Sequence, residues 1–322
     1  MRFENTRAAQ PSSFAHRAAY YSSAEELVSI AAPIAEAGLR GGTPVALIAS
    51  SDTERRLREA LVEPVGLIHL PPPKPWMRRS GQTLATRRAH ELRDLVDWAG
   101  PVTVIAEHRA DNPDEDPSSW VETDVALNLA LSSAPITMTC LYPASLAEGP
   151  KHRAVLWSHP WLIDPDGAIR RNTEVRQPAE VLAAHPVPAA SRLGTPDHEM
   201  TFTPWQLIEL RTSVGRATDK LGMEKAKADD FIIAVNEVAS NAVEHGRGLG
   251  TLQIWQRHDR LVCEVHDTGA LAEPLPGLRL PHPSASRGRG VWMARQLCDL
   301  LHVWSDGKGT HVQLQAVLSG SG

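Results

Sequence analysis

Residues 177–198 follow neither a helix period nor a strand period. Pro178, Pro186, Pro188 and Pro196 fall there among Ala, Ser and Gly. Such a stretch reads as a linker, so the residues on either side must each bury a core of their own. The chain has 322 residues, 42% of them hydrophobic, which is enough for two ordinary domains. The expected organisation is a domain over 12–176, a linker over 177–198 and a second domain over 199–322.

In the first domain, strand-like and helix-like runs alternate. Helical spacing covers 25–38, 53–62, 83–99 and 120–131. Gly38 closes the first of these helices, and Asp52 is placed to cap the second. Short apolar runs at 44–49, 102–106 and 136–142 read as buried strands. This alternation implies βαβ units and an α/β domain with a mostly parallel sheet. A proline-rich loop lies at 71–75 and an acidic loop at 111–117.

The second domain reads differently. Helices are expected over 204–221 and 228–245, strands over 251–256 and 261–266, a helix over 291–301, and strands over 301–305 and 311–318. A long irregular segment occupies 270–289. Helices followed by mostly antiparallel strands imply an α+β sandwich, with helices on one face of a mixed sheet.

Charge and cysteine content restrict function. The formal charge of -5 argues against a large nucleic-acid footprint, which needs clustered Lys and Arg, so no direct nucleic-acid partner is expected. Three scattered cysteines, Cys140, Cys263 and Cys298, suit neither a disulfide framework nor a tetrahedral site among themselves. Each lies in an apolar run and reads as a buried thiol. The first residues lack the apolar core of a signal peptide, and no run approaches the roughly 20 apolar residues of a membrane span. The expectation is a cytoplasmic protein without a membrane partner. A homodimer is left open.

Chemistry gathers in the second domain. Phe231, Ala234, Val235, Val238, Ala242 and Val243 form an apolar stripe, while Glu237, Asn241 and His245, spaced by four, share another face. Asn offers a neutral oxygen to a hard cation, and Glu can polarise a water or hydroxyl. Asp267-Thr268-Gly269 ends an apolar strand, where a carboxylate can accept from an exocyclic amine. Arg287-Gly288-Arg289-Gly290 opens a helix whose backbone N–H groups can cradle phosphate. Gly309-Thr310 opens the last strand. Each motif alone is weak and equally suits a polar helix face, a turn or a Gly-containing loop.

In this order the motifs resemble the GHKL superfamily of ATPases and kinases over about 199–318. The segment from Glu237 to Gly246 is similar to its N-box, Asp267-Thr268-Gly269 to its first glycine box, Gly288-Arg289-Gly290 to its second, and Gly309-Thr310 to its final Gly-Thr element. The resemblance implies ATP and Mg²⁺ as cofactors. Asn241 would be the metal ligand, Glu237 the residue positioning the attacking group, and Asp267 the adenine reader. His245, Gly269, Arg287, Gly288, Arg289, Gly290, Gly309 and Thr310 would lie around the nucleotide, with 270–289 as a mobile lid. One departure is Leu271, where the family usually carries a second glycine, and it puts ATP affinity and turnover in doubt. The N-box ending in Glu-His-Gly is similar to that of the anti-sigma-factor serine kinases. That branch implies a sigma factor as partner and an antagonist protein phosphorylated on Ser or Thr. A degenerate partner-binding module without kinase activity is the alternative. A sensor histidine kinase is less favoured, because residues 177–198 offer no phosphoacceptor hairpin.

The first domain resembles the MEDS-type sensory domains over about 12–169. The features that carry this resemblance are His16 before the Tyr20-Tyr21 pair, Gly42-Thr43-Pro44 before a strand, Trp76, Glu107, Glu122 and the run from Asn128. It implies a RecA-like or flavodoxin-like sheet and a small-molecule ligand, with His16, Trp76, Glu107 and Glu122 as candidate pocket residues. A Walker-type loop is absent from this half, so a second nucleotide site is not expected.

Overall fold

The computed structural model describes residues 13–71, 80–109, 117–147, 150–271, 273–282 and 288–318. The chain forms two compact units, one of residues 1–74 with 87–177 and one of residues 75–86 with 178–322.

The first unit alternates strand and helix as expected. Its elements are β1 (Ala15–Tyr21), α1 (Ala24–Arg40), β2 (Val45–Ile48), α2 (Ser51–Ala60), β3 (Leu67–His69), α3 (Gly81–Ala99), β4 (Val102–Glu107), α4 (Pro117–Ala130), β5 (Ile136–Pro143), α5 (Pro150–Ser158), β6 (Trp161–Ile163) and β7 (Ile169–Arg171). The first turns of α3 fall in the second unit. The seven strands are ordered β3-β2-β4-β5-β1-β6-β7, all pairings being parallel except β6 with β7.

Register sorts the side chains between the two faces. His16 pairs with Met138 and Ala18 with Cys140, so these four point to one side of the sheet, as do Tyr20 and Tyr142. The other side carries Ala19, Leu47, Ile105 and Leu141, packed against Leu27, Ala31 and Ala35 of α1 and Leu57 of α2. Burial on both faces explains why these strands read as continuous apolar runs.

Two local expectations are corrected. Gly38 lies inside α1, which runs on to Arg40 with Gly41 as its cap. A Cβ on Gly38 would come 2.7 Å from Val45 Cγ2 and 3.3 Å from Thr103 Oγ1, so close packing on β2 and β4 explains this glycine. Asp52 lies within α2, and Ser50 is the N-cap, its hydroxyl accepting from the Thr53 N–H at 3.3 Å. Asp52 instead pairs with Arg55 and Arg56 on the exposed face. Ser50→Ala should therefore lower stability by about 1 kcal/mol. Asp52→Ala should change it by only a few tenths, since exposed ion pairs contribute little. Urea melts of the two variants check the assignment.

The second unit contains α6 (Pro178–Ala184), β8 (His198–Phe202), α7 (Leu207–Lys220), α8 (Lys225–His245), β9 (Gly250–Gln256), β10 (Arg260–Asp267), α9 (Gly290–Leu297), β11 (Leu300–Asp306) and β12 (Gly309–Val317). A short helix, α6, thus falls where no periodicity was read, with Val181 and Leu182 buried. The strands are ordered β11-β12-β10-β9-β8. The α+β sandwich is as expected, but its sheet is antiparallel throughout rather than mixed.

The inward residues Leu261, Cys263 and Val265 of β10 alternate with outward Val262, Glu264 and His266. The inward set packs against Leu210 and Val214 of α7, Phe231, Val235 and Val238 of α8, and Ala294 of α9. The same alternation brings Asp267, at the end of β10, to the helix-covered side. Also within this unit, Gln82 donates to the Val303 carbonyl at 2.8 Å and accepts from Arg295 of α9 at 2.8 Å.

Candidate functional site

α8 starts at Glu224, whose carboxylate caps the N–H groups of Ala226 and Lys227 at 3.0 and 3.1 Å. It runs for 21 residues, and its C-terminal end meets the end of β10. That meeting requires glycine: a Cβ on Gly246 would lie 2.5 Å from Asp267 Cβ.

A cavity of about 490 Å³ opens there, and Asn241, His245, Asp267, Leu271, Gly288 and Thr310 are among its lining residues. Of the residues expected from sequence, the structure therefore brings Asn241, His245, Asp267, Gly288 and Thr310 onto one cavity. Glu237 flanks it, since a Cβ on Gly290 would stand 2.6 Å from Glu237 Oε2 and 3.6 Å from Asn241 Nδ2. The first turn of α9 thus begins against the carboxylate and carboxamide of α8.

Gly269 acts through its backbone: its N–H donates to Asp267 Oδ1 at 2.6 Å, and its carbonyl accepts from Thr310 Oγ1 at 3.0 Å. Gly309 opens β12 at φ 141°, with its Cα hydrogen side against the Asp267 main chain. Arg289 donates to the His282 carbonyl at 3.2 Å. Arg287 lies outside the described residues.

Burial raises the pKa of the Asp267 carboxyl above its ordinary value, opposed by the Gly269 N–H and then by the nearby histidines. Leu271 both lines the cavity and packs on the apolar core. It gives the cavity an apolar wall. Glu273, Pro276 and Gly277 also line the cavity. In the sequence this stretch is part of the irregular segment 270–289, with no periodicity to mark these three residues.

On the outer face of the same sheet, His311 Nδ1 lies 3.1 Å from Glu264 and its Nε2 lies 3.5 Å from Asp306. Its pKa is raised, chiefly by the hydrogen bond to Glu264, against the opposing effect of burial. A raised folded-state pKa means that this stabilisation is complete below the ordinary imidazole value and is lost as pH rises through the folded value. Melting temperatures between about pH 6 and pH 8 should therefore fall by more in the wild type than in His311→Gln. The difference should be about 0.5–1 kcal/mol.

In the first unit, the strand register sets Glu107 and His16 on opposite faces of the sheet. Glu107 Oε2 accepts from the Ser50 N–H at 2.8 Å and so braces the start of α2. Glu122 is buried on α4, and Trp76 lies outside the described residues. His16 is fully buried, among groups the sequence did not connect to it: Asp124 of α4, Cys140 of β5 and His159. The spacing of Trp120, Asp124 and Asn128 on one face of α4 was the available signal.

Burial holds this region neutral. His159 is lowered to about 4 and His108 to about 3, both chiefly by desolvation, and His16 is lowered in the same direction. Desolvation also raises Asp124 to about 7, opposed by a 2.6 Å hydrogen bond from the Tyr142 hydroxyl. Cys140 is pushed well above the usual thiol value, and all three cysteines are buried thiols outside any disulfide.

Residues 200–316 match the family model of the histidine kinase-like ATPase domain. Residues 15–160 match the model of the methanogen/methylotroph DcmR sensory domain, MEDS. The two matches fall on different parts of the chain, one on each side of residues 161–199. Among solved structures, the chain is similar to the nucleotide-free catalytic domain of histidine kinase ThkA, at 13% identity and a TM-score of 0.25, covering 38% of this chain and 96% of that one. No curated protein matches the chain significantly. The ATPase-type match implies ATP as ligand, usually with Mg²⁺. Among the described residues, no helix is long and apolar enough to cross a membrane.

Proposed function

We propose that the cavity at the end of α8 holds Mg²⁺-ATP and that the chain is an anti-sigma-factor-type regulatory kinase governed by its MEDS domain. The observation that carries this reading is the convergence of four separate sequence motifs on one cavity of about 490 Å³, with Asn241, Asp267, Gly288 and Thr310 on its wall. The donor set fits the cofactor. The carboxamide oxygen of Asn241 is a hard neutral ligand for Mg²⁺, and the N-terminus of α9 faces the same end with free N–H groups. Asp267, fixed through Oδ1 by Gly269, accepts the exocyclic amine of adenine on its remaining oxygen, beside the apolar wall of Leu271 and Val265.

ATP supplies the phosphoryl group when bound. Glu237, at the α9 end of the cavity, orients the hydroxyl of an incoming Ser or Thr and receives its proton. A sigma factor is the regulated partner and an antagonist protein the phosphoacceptor. The MEDS domain, on binding a small molecule, biases that exchange, which requires the ligand to bind two states of the protein with different affinity. The protein acts in the cytoplasm.

The test uses the full chain purified from its native cells, with bound proteins identified by mass spectrometry and then incubated with labelled ATP. Label on Ser or Thr of a co-purified protein, lost in Glu237→Gln, supports the kinase reading. Specific partner binding without transfer would replace it with a partner-binding module. Label on a His of this chain would replace it with a histidine kinase.

A further inference from the structure

We infer that the buried cluster of His16, Asp124, Cys140 and His159 in the first unit is a binding site for one divalent transition-metal ion of the Zn²⁺ class. One ligand atom from each residue, two imidazole nitrogens, a thiol sulfur and a carboxylate oxygen, lies within 4.8 Å of all the others. Tetrahedral coordination at bond lengths of about 2.0–2.3 Å separates ligand atoms by roughly 3.3–3.7 Å, so small side-chain movements close the set around an ion. Two nitrogens, one sulfur and one oxygen suit Zn²⁺ or Co²⁺ and exclude Ca²⁺ or Mg²⁺, which take oxygen ligands.

The surrounding hydrogen bonds aim each ligand inward. His159 Nδ1 donates to the Val155 carbonyl at 2.8 Å, which leaves the lone pair on Nε2, an atom without a hydrogen-bond partner among the described residues. His16 Nδ1 donates to Asn128 Oδ1 at 3.0 Å, and the direction is fixed because Asn128 Nδ2 donates to the Ser158 carbonyl at 2.7 Å. That leaves His16 Nε2 as an acceptor, 3.2 Å from Cys140 Sγ. Asp124 Oδ2 is held by the Tyr142 hydroxyl, while Oδ1 lacks a hydrogen-bond partner among the described residues. Every ligand but the cysteine thus has one atom anchored by an outer group and one facing its fellows, the arrangement that outer-shell groups impose in metal sites.

Two fully buried ligand atoms of the cluster, His159 Nε2 and Asp124 Oδ1, thus have no hydrogen-bond partner among the described residues, which is costly for a polar atom. An ion satisfies both at once. Binding forms four bonds to the metal and releases to solvent the Cys140 thiol proton, together with the Asp124 proton wherever that carboxyl is protonated, and no oxidant is needed.

Cobalt reports this directly. Full-length chain, purified with chelator and then titrated with Co²⁺, should bind a single equivalent. It should show the visible bands of tetrahedral cobalt together with thiolate-to-cobalt charge transfer in the near ultraviolet, and Zn²⁺ should displace both. Zn²⁺ should also raise the melting temperature. Cys140→Ser should lose the charge-transfer band, and His159→Gln should weaken binding at least about tenfold. Cys263→Ala, a buried thiol in the other unit, should behave as wild type. If Cys140→Ser fails to fold, the His159→Gln affinity decides alone. The proposal is overturned if the wild type binds no chelator-competed cobalt, leaving a water or a metal-free polar network to fill the cluster. It is equally overturned if the charge-transfer band survives in folded Cys140→Ser or disappears in Cys263→Ala.

Discussion

Asn241→Ala should weaken Mg²⁺-ATP binding about a hundredfold, or roughly 2.7 kcal/mol, and bring the affinities with and without Mg²⁺ together. The side chain stands on the polar face of α8 and lines the cavity, while the apolar stripe of the same helix fills the core. Truncation therefore removes the metal ligand without opening a cavity among Phe231, Val235 and Val238. Alanine is also the better helix former, so the fold should hold. Calorimetric titration of ATP into both proteins, with Mg²⁺ or with chelator, separates the metal-dependent part. Wild-type affinity in a folded variant removes Asn241 from the site.

Asp267→Asn should cost about 1–3 kcal/mol in ATP binding, because an amide N–H would face the exocyclic amine of adenine in a half-buried position. The same substitution should narrow the preference for ATP over GTP, since guanine presents a carbonyl where adenine presents its amine. The Gly269 N–H that now donates to Oδ1 at 2.6 Å can still find the amide oxygen, so the local turn should survive. Because burial raises the Asp267 pKa, the ionised form that accepts from adenine is lost earlier on acidification than an ordinary aspartate would be. ATP affinity should accordingly fall toward low pH in the wild type and stay flat in Asp267→Asn. A wild type that binds GTP as well as ATP contradicts the assignment.

The C-terminal motifs were legible because each is short and local. Glu237, Asn241 and His245 lie on one helix face by spacing alone, Asp267 follows from strand alternation, and Gly288 and Gly290 mark a helix start. Their shared cavity was implied by family order rather than by spacing, and the structure brings Asn241, His245, Asp267 and Gly288 onto it with Glu237 beside it. The parallel sheet of the first unit was readable from alternation, but β1 was not, since Ala15–Tyr21 is neither alternating nor a continuous aliphatic run. A glycine required by packing against Val45 looks the same in sequence as one required by a left-handed turn, so Gly38 reads as a helix end. The buried cluster was invisible for a different reason. His16 meets Cys140 across 124 positions, and no period in the sequence relates them. Cys140 was correctly read as a buried thiol, but its neighbours are set by the β1–β5 pairing.

Calorimetric titration of ATP and GTP into the full wild-type chain, with and without Mg²⁺, tests the central claim most directly. The account predicts one ATP site, strengthened by Mg²⁺, with GTP clearly weaker. Absence of ATP binding at millimolar nucleotide, or equal binding of the two bases, would contradict it.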